Sequence, residues 1–226
     1  TPFPPSGRKV RVSSDGAIEI TASSSEDIDS IVANAGAADS VGIGASVSVQ
    51  VISTNTTAAI EGSPLGTPAT VEAGGDVTIS ASGLLDAMLI AGAIGAADTA
   101  GVGAANTTIE HHDTVEAFVG ERVTVTTAGA SGLSITATSR EDLMTIAASG
   151  GFADTAGIAG AAVVNDLHET TLAFVSRSAI VTAQSPVGNP GISLEASDYT
   201  DIVSVAGSLA GAGTAAVGLG ADIGLI

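Results

Sequence analysis

The chain has 226 residues, of which 29 are glycine, 2% are aromatic and none is cysteine. These values exclude a core of bulky aromatic side chains, a disulfide-stapled scaffold and a thiolate metal site. The formal net charge of −18 at pH 7 excludes nucleic acid and anionic membranes as partners, because both bind cationic protein surfaces.

The chain begins Thr1-Pro-Phe-Pro-Pro, with neither a basic start nor an apolar run. This beginning does not have the pattern of a signal peptide. We therefore interpret the chain as an excised or mature segment of a longer protein.

A short pattern recurs along the chain and defines an internal repeat. Its copies are Ile20-Thr-Ala-Ser, Ile79-Ser-Ala-Ser, Ile135-Thr-Ala-Thr and Leu194-Glu-Ala-Ser, separated by 59, 56 and 59 residues. From Ile79 and Ile135 onward, 18 of 42 positions are identical, far above chance. The repetition predicts four similar units, near residues 7–63, 64–121, 122–178 and 179–226.

Each unit contains the same succession of features. An apolar residue lies two positions before the anchor and an alanine two positions after it, which predicts a strand with one buried face. An aspartate follows seven positions after each anchor, then an apolar position, then a small-residue segment such as Gly95-Ala-Ala-Asp-Thr-Ala-Gly. A second alternating stretch, such as Val47-Ser-Val-Gln-Val, completes the unit.

These features predict an all-β fold, an elongated right-handed parallel β-solenoid in a single domain over residues 1–226. Each repeat is expected to form two coils of roughly 28 to 30 residues from about five short strands. The handedness follows from the usual chirality of parallel crossovers. We interpret the uncharged run 202–220 as packed strands rather than a membrane helix, since it has no basic or aromatic flanks.

One stretch of the repeat carries a family resemblance. Gly95-Ala-Ala-Asp-Thr-Ala-Gly-Val-Gly-Ala, followed by Val115-Glu-Ala-Phe-Val, resembles the repeats of very large Gram-negative surface adhesins of the filamentous, leukotoxin-type and haemagglutinin-like classes. The resemblance covers nearly everything after Gly7. It implies an exported, repetitive stalk of β-helical form without catalytic residues.

The recurring aspartates are Asp27, Asp86, Asp142 and Asp201. If they stack at neighbouring coils, their mutual repulsion of about 3 kcal/mol at an effective dielectric of 20 requires a compensating interaction. We expect hydrogen bonds to backbone amides at the corners of the coils. Bound Ca²⁺ is the alternative, although no calcium-roll nonapeptide occurs.

The three histidines are His111, His112 and His168. Neighbouring strand residues point to opposite faces, so His111 and His112 are not expected to chelate one ion together. His112 and His168 are in register and would share a face, with Glu169 nearby. We interpret all three histidines as solvated turn residues and assign no metal site.

Enzymatic and ice-binding functions fit the residues less well. Polysaccharide-active solenoids need carboxylates beside basic residues in one groove, whereas Arg8, Lys9, Arg11, Arg122, Arg140 and Arg177 are scattered. A regular threonine face is absent, because Thr107 and Thr108 fall opposite Val163 and Val164. The in-register Phe118 and Phe174 are interpreted as core residues.

The sequence therefore predicts a non-enzymatic structural stalk or spacer of a bacterial surface adhesin or extracellular filament. The alternatives are a ligand-binding solenoid (for glycan, ice or Ca²⁺-dependent adhesion) and a polysaccharide-active enzyme. We assign no catalytic, cofactor-binding or metal-binding residues. The expected partners are neighbouring repeats or laterally associated copies, with host or matrix surfaces reached through regions outside the fragment. The expected location is extracellular.

Overall fold

The computed structural model describes residues 10–62, 68–185 and 188–226. The regular secondary structure of these residues consists entirely of β-strands. The predicted all-β class is therefore confirmed. The predicted unit boundaries at residues 7, 63 and 64 lie outside the described residues, as do Arg8 and Lys9. The strands are β1 (Val10–Ser14), β2 (Ile18–Ala38), β3 (Val41–Ile60), β4 (Ala69–Ala73), β5 (Val77–Ala97), β6 (Ala100–Val119), β7 (Val123–Thr127), β8 (Gly132–Ala153), β9 (Ala156–Val175), β10 (Ile180–Ala183), β11 (Gly191–Ala212) and β12 (Ala215–Leu225).

These strands form three parallel sheets, each with one strand from every repeat. We call them the short sheet (β1-β4-β7-β10), the first long sheet (β2-β5-β8-β11) and the second long sheet (β3-β6-β9-β12). Equivalent positions pair directly: Ile79 lies between Ile20 and Ile135, and Leu194 pairs with Ile135. This in-register parallel stacking is the arrangement of a β-solenoid, as predicted.

Each repeat forms one coil of the solenoid, so the prediction of two coils with about five short strands is wrong. The first three coils contain one short strand of 5 residues and two long strands of 20 to 22 residues. The small-residue segments remain extended instead of forming additional corners. The chain reverses between the two long strands only at a two-residue turn, such as Asp98-Thr99.

The two long sheets pack face to face inside each coil. In the first coil, the Ser30 and Ser48 hydroxyls lie 2.8 Å apart, and the Thr56 hydroxyl donates a 2.7 Å hydrogen bond to Ser24. Apolar residues fill the interior in three clusters. Val, Ile and Ala lie beside the short sheet, Leu and Ile near the middle of the long strands, and mostly Ala towards the far turn. The coil therefore narrows towards that turn, where small side chains let the backbones approach.

The uncharged run 202–220 lies in β11, the following turn and β12, which agrees with its interpretation as packed strands. No helix long and apolar enough to cross a membrane occurs in the described part of the chain.

Small-angle X-ray scattering is expected to give a radius of gyration of about 21 Å for the monomer, against about 17 Å for a compact chain of this length. The long strands span about 65 to 70 Å at about 3.3 Å per residue, whereas four stacked coils reach only about 20 Å along the axis. The long dimension of this segment therefore lies across the solenoid axis. A measured value near the compact one would contradict the one-coil repeat.

Candidate functional site

The recurring aspartates form a column, but on the outside of the coil. Asp27, Asp86, Asp142 and Asp201 pair in register along the first long sheet. All four are exposed and lie within long strands rather than at corners. In the described part of the chain, their one close polar contact joins Asp142 to Arg140, with 3.9 Å between Oδ2 and Nη2. The expectation that this column hydrogen-bonds to backbone amides at the corners is therefore wrong.

A different aspartate has the corner role that the sequence suggested. Asp76 precedes β5, and its Oδ1 atom accepts 2.8 Å hydrogen bonds from the backbone amides of Ser131 and Gly132 in the next coil. Gly132 has a φ of 84°, in the left-handed region that glycine adopts readily. Asp76 thus fixes the corner between two successive coils.

Asp76→Ala is expected to lower the free energy of unfolding by about 1 to 3 kcal/mol, because two backbone amides lose a charged acceptor. Asp86→Ala, the matched control from the exposed column, is expected to change it by no more than about 0.5 kcal/mol. Urea denaturation of both variants measures the difference. Equal losses would show that the exposed column stabilises the coil as much as the corner does.

The histidines lie in strands, so their interpretation as turn residues is wrong. His112 and His168 are neighbours on the outer face, with ring centroids 4.8 Å apart. Glu169 points to the opposite, inner face, and there it approaches His111. The side chain of His111 is only 2% exposed. His111 is therefore a buried group of the interior.

Phe118 and Phe174 stack in parallel, with ring centroids 4.8 Å apart and an interplanar angle of 7°. They lie on the outer face, since the adjacent Ala117 and Val119 are the buried residues of that strand. The interpretation of this pair as core residues is therefore wrong. The stacked rings cover the outer surface near the end of the second long sheet.

The interior contains a group of carboxylates that the sequence analysis did not identify. Glu141 on β8, Glu169 on β9 and Asp198 on β11 place one oxygen each within 4.8 Å of the others. We call these three residues the carboxylate cluster. Glu141 is 1% exposed and the Glu169 side chain 8% exposed, whereas Asp198 lies at the exposed edge of the first long sheet. The cluster thus joins both long sheets and two coils.

Hydroxyl protons are scarce around the cluster. The Ser139 hydroxyl lies 2.6 Å from Glu141 Oε1 and 2.9 Å from Asp113 Oδ2. The Thr200 hydroxyl lies 3.2 Å from both Glu141 Oε2 and Glu169 Oε2. Each hydroxyl has one proton to donate, so these two protons serve three oxygens of the cluster and one of Asp113. The Thr171 hydroxyl lies 3.4 Å from Asp198 Oδ2, and Glu169 Oε1 has no hydrogen-bond partner. The shortage of donors favours an additional proton or a cation within the cluster.

Burial shifts the ionisation of the carboxylate cluster. Burial, together with the charges of Glu169 and Asp198, raises the pKa of Glu141 to about 8, although the Ser139 hydrogen bond opposes the shift. Burial and then the charge of Glu169 raise the pKa of Asp198. Burial would also raise the pKa of Glu169, but His111, Glu141 and Thr200 together lower it. The cluster is therefore suited to holding a proton or a positive ion at neutral pH.

A second pair of carboxylates continues this polar layer towards the first coil. Burial, followed by the charge of Asp113, raises the pKa of Glu26. The Thr54 hydroxyl donates to Asp113, which is 5% exposed. The layer lies between the apolar cluster beside the short sheet and the Leu and Ile cluster of the mid-strand interior. Carboxylates thus line the interior through all four coils.

Strand alternation contains the signal that would have located these residues. Glu26 and Glu141 each lie six positions after an anchor isoleucine, an even separation that directs them to the buried face. The aspartate column lies at the seventh position, an odd separation that directs it outward. The approach of Glu169 to Glu141 across the interior depends on how the second long sheet faces the first, which the repeat pattern does not align.

Comparison of the chain with models of protein families, with curated proteins and with solved structures found no match.

Proposed function

We propose that the chain is a non-enzymatic structural spacer of a large bacterial surface adhesin or extracellular filament. The observation that carries the proposal is the unbroken register of the three sheets from coil to coil. Each coil presents the same strands to the next, so repeats add length without changing the cross-section. Such regular extension is the property that a spacer needs.

The positions of the ionisable residues favour this role over catalysis. The described arginines are exposed, and Arg140, which lies on the same strand as Glu141, points to the outer face. Glu141 is closed off within the coil, so a polymeric substrate has no groove in which to meet it. A polysaccharide-active enzyme needs such carboxylates exposed beside a general acid or base.

Lateral association of copies is part of the same proposal. The outer face of β3 exposes Val41, Ile43, Val47, Val49 and Val51 in alternation. Contiguous exposed apolar surface is typical of interaction sites. An extracellular location is consistent with the acidic, cysteine-free composition.

The spacer role is tested by lengthening the array. A second copy of residues 79–134 inserted after residue 134 adds one coil in register. We expect the enlarged chain to keep its cross-section and to melt at the same or a higher temperature, because each coil adds one more stacking interface. The matched control is the same insert without Leu89, which reverses the faces of the following residues in that strand. Equal destabilisation by both inserts would contradict the proposal.

The alternative functions are tested by a glycan array and by incubation with acidic and neutral polysaccharides. We expect neither selective binding of one sugar class nor depolymerisation. Selective binding would favour a ligand-binding solenoid, and depolymerisation would establish an enzyme.

A further inference from the structure

We propose that the carboxylate cluster and His111 together bind a divalent first-row transition-metal ion such as Mn²⁺ or Zn²⁺. This site goes beyond the spacer role, which requires no ion. The ligands would come from β6, β8, β9 and β11, and therefore from both long sheets and from three successive coils.

The side chain of His111 is the observation that points to an ion rather than to a simple acidic patch. It is 2% exposed, and neither Nδ1 nor Nε2 has a hydrogen-bond partner. Its Nδ1 atom lies 3.8 Å from Glu169 Oε1, beyond hydrogen-bond distance but directed at the cluster. A buried imidazole without partners is costly, and coordination of a metal would satisfy one of its nitrogens.

The carboxylates have a matching deficiency. Glu169 Oε1 is also buried without a hydrogen-bond partner, and it is the oxygen that approaches His111. In the described long strands, Lys and Arg do not occur at inner-face positions. Arg140, the one arginine in those strands, is exposed on the outer face. A divalent cation would therefore supply positive charge that no lysine or arginine of the described long strands brings to these oxygens.

The ligand types decide the class of ion. Ca²⁺ takes six to eight oxygen ligands, whereas imidazole nitrogen combined with carboxylate suits Zn²⁺, Mn²⁺ and their neighbours. Bound oxygens would lie about 2.0 to 2.2 Å from Zn²⁺. The three carboxylate oxygens lie within 4.8 Å of one another, and His111 Nδ1 lies 3.8 Å from Glu169 Oε1, so the side chains would have to contract around the ion.

Equilibrium dialysis of the chelator-treated chain against Mn²⁺, Zn²⁺, Co²⁺ and Ca²⁺ tests the proposal. We expect one transition-metal ion per chain and a higher melting temperature when it binds. Glu169→Gln is expected to weaken binding at least about tenfold, since even residues behind the metal ligands typically contribute tenfold to 100-fold. Glu141→Gln should act similarly, and circular dichroism of the metal-free variants would identify a folding defect in either one.

Two outer-face variants are the matched controls. Asp142→Asn removes a neighbouring carboxylate from the same strand as Glu141, and His168→Gln removes an imidazole adjacent to Glu169. Both are expected to bind as the unmodified chain does. Loss of binding in either control, with retention in Glu169→Gln, would place the ion on the outer face and overturn the proposal.

Cobalt spectroscopy tests the role of His111 separately. The visible absorption of bound Co²⁺ is expected to change in His111→Gln, because a nitrogen ligand is replaced. An identical spectrum would exclude His111 as a ligand. Preferential binding of Ca²⁺, or no binding of any of the four ions, would also overturn the proposal, the latter leaving a proton as the occupant of the cluster.

Discussion

Gly95→Ala is expected to lower the free energy of unfolding by about 3 kcal/mol or more, the upper range for overpacking in a protein interior. A Cβ atom on Gly95 would lie 1.9 Å from the carbonyl oxygen of Val102 and 2.7 Å from that of Gly42. Both obstacles are backbone atoms, so no side-chain rotation relieves the clash. The two long sheets would have to separate near the far turn.

The same close approach recurs in the coils on both sides of Gly95. The first three coils have glycine at this position, and the fourth has Ala210. An added Cβ would lie 1.8 Å from a backbone carbonyl oxygen of the opposing strand at Gly36 and 1.9 Å from one at Gly151. The strand of Gly95 is therefore held between two coils that are equally narrow at this point.

Gly92→Ala is the matched control for Gly95→Ala. Gly92 lies on β5, as Gly95 does, and no atom would lie within 4 Å of a Cβ added to it. We expect this variant to be neutral or stabilised by up to about 1 kcal/mol, because alanine restricts the unfolded chain. Urea denaturation measures both variants. Similar stability of the two would mean that the sheets near the far turn separate easily.

As the pH rises from about 5 to 8, the free energy of unfolding of the metal-free chain is expected to fall by about 3 kcal/mol. Each pKa unit of Glu141 corresponds to about 1.4 kcal/mol. Glu169 reduces the total, because two neighbouring carboxylates release their protons as a pair. The cause is Glu141, whose pKa rises from 4.5 in the unfolded chain to about 8 in the fold. Between these values the native state binds more protons than the unfolded state. Stability therefore falls with rising pH across this window and levels off above it.

Glu169 has the opposite sign and a different pH range. Its pKa is lowered in the fold, so its contribution is present above the unfolded value and is lost as the pH falls through the folded value. That loss lies on the acidic side of the window assigned to Glu141. The two effects are therefore separable in one series of measurements.

Glu141→Gln is the variant that isolates the effect. A neutral amide of similar shape removes the titration, so we expect greater stability at pH 8 and a flatter profile between pH 5 and 8. Asp142→Asn, which removes an exposed carboxylate next in the chain, should retain the slope of the unmodified chain. Guanidinium denaturation in the presence of EDTA provides the comparison. Equal slopes for the unmodified chain and Glu141→Gln would exclude Glu141 as the cause.

The sequence by itself determined the repeat, the strand class and the pairing between coils. The anchors Ile20, Ile79, Ile135 and Leu194 lie side by side because this register stacks equivalent apolar side chains and keeps them on the buried face. Strand alternation also fixed which residues share a face. Both properties are local and are repeated in every unit, so a single sequence contains enough copies to reveal them.

Only the tertiary structure decided how many coils a repeat forms and which faces meet across the interior. A long strand and two short ones joined by a corner have the same alternation, so the small segment around Gly95 did not distinguish them. The position of the far turn sets which residues of the second long sheet oppose those of the first. It brings Glu169 of β9 towards Glu141 of β8 across the two sheets. That convergence depends on the path of the whole coil, which no single strand records.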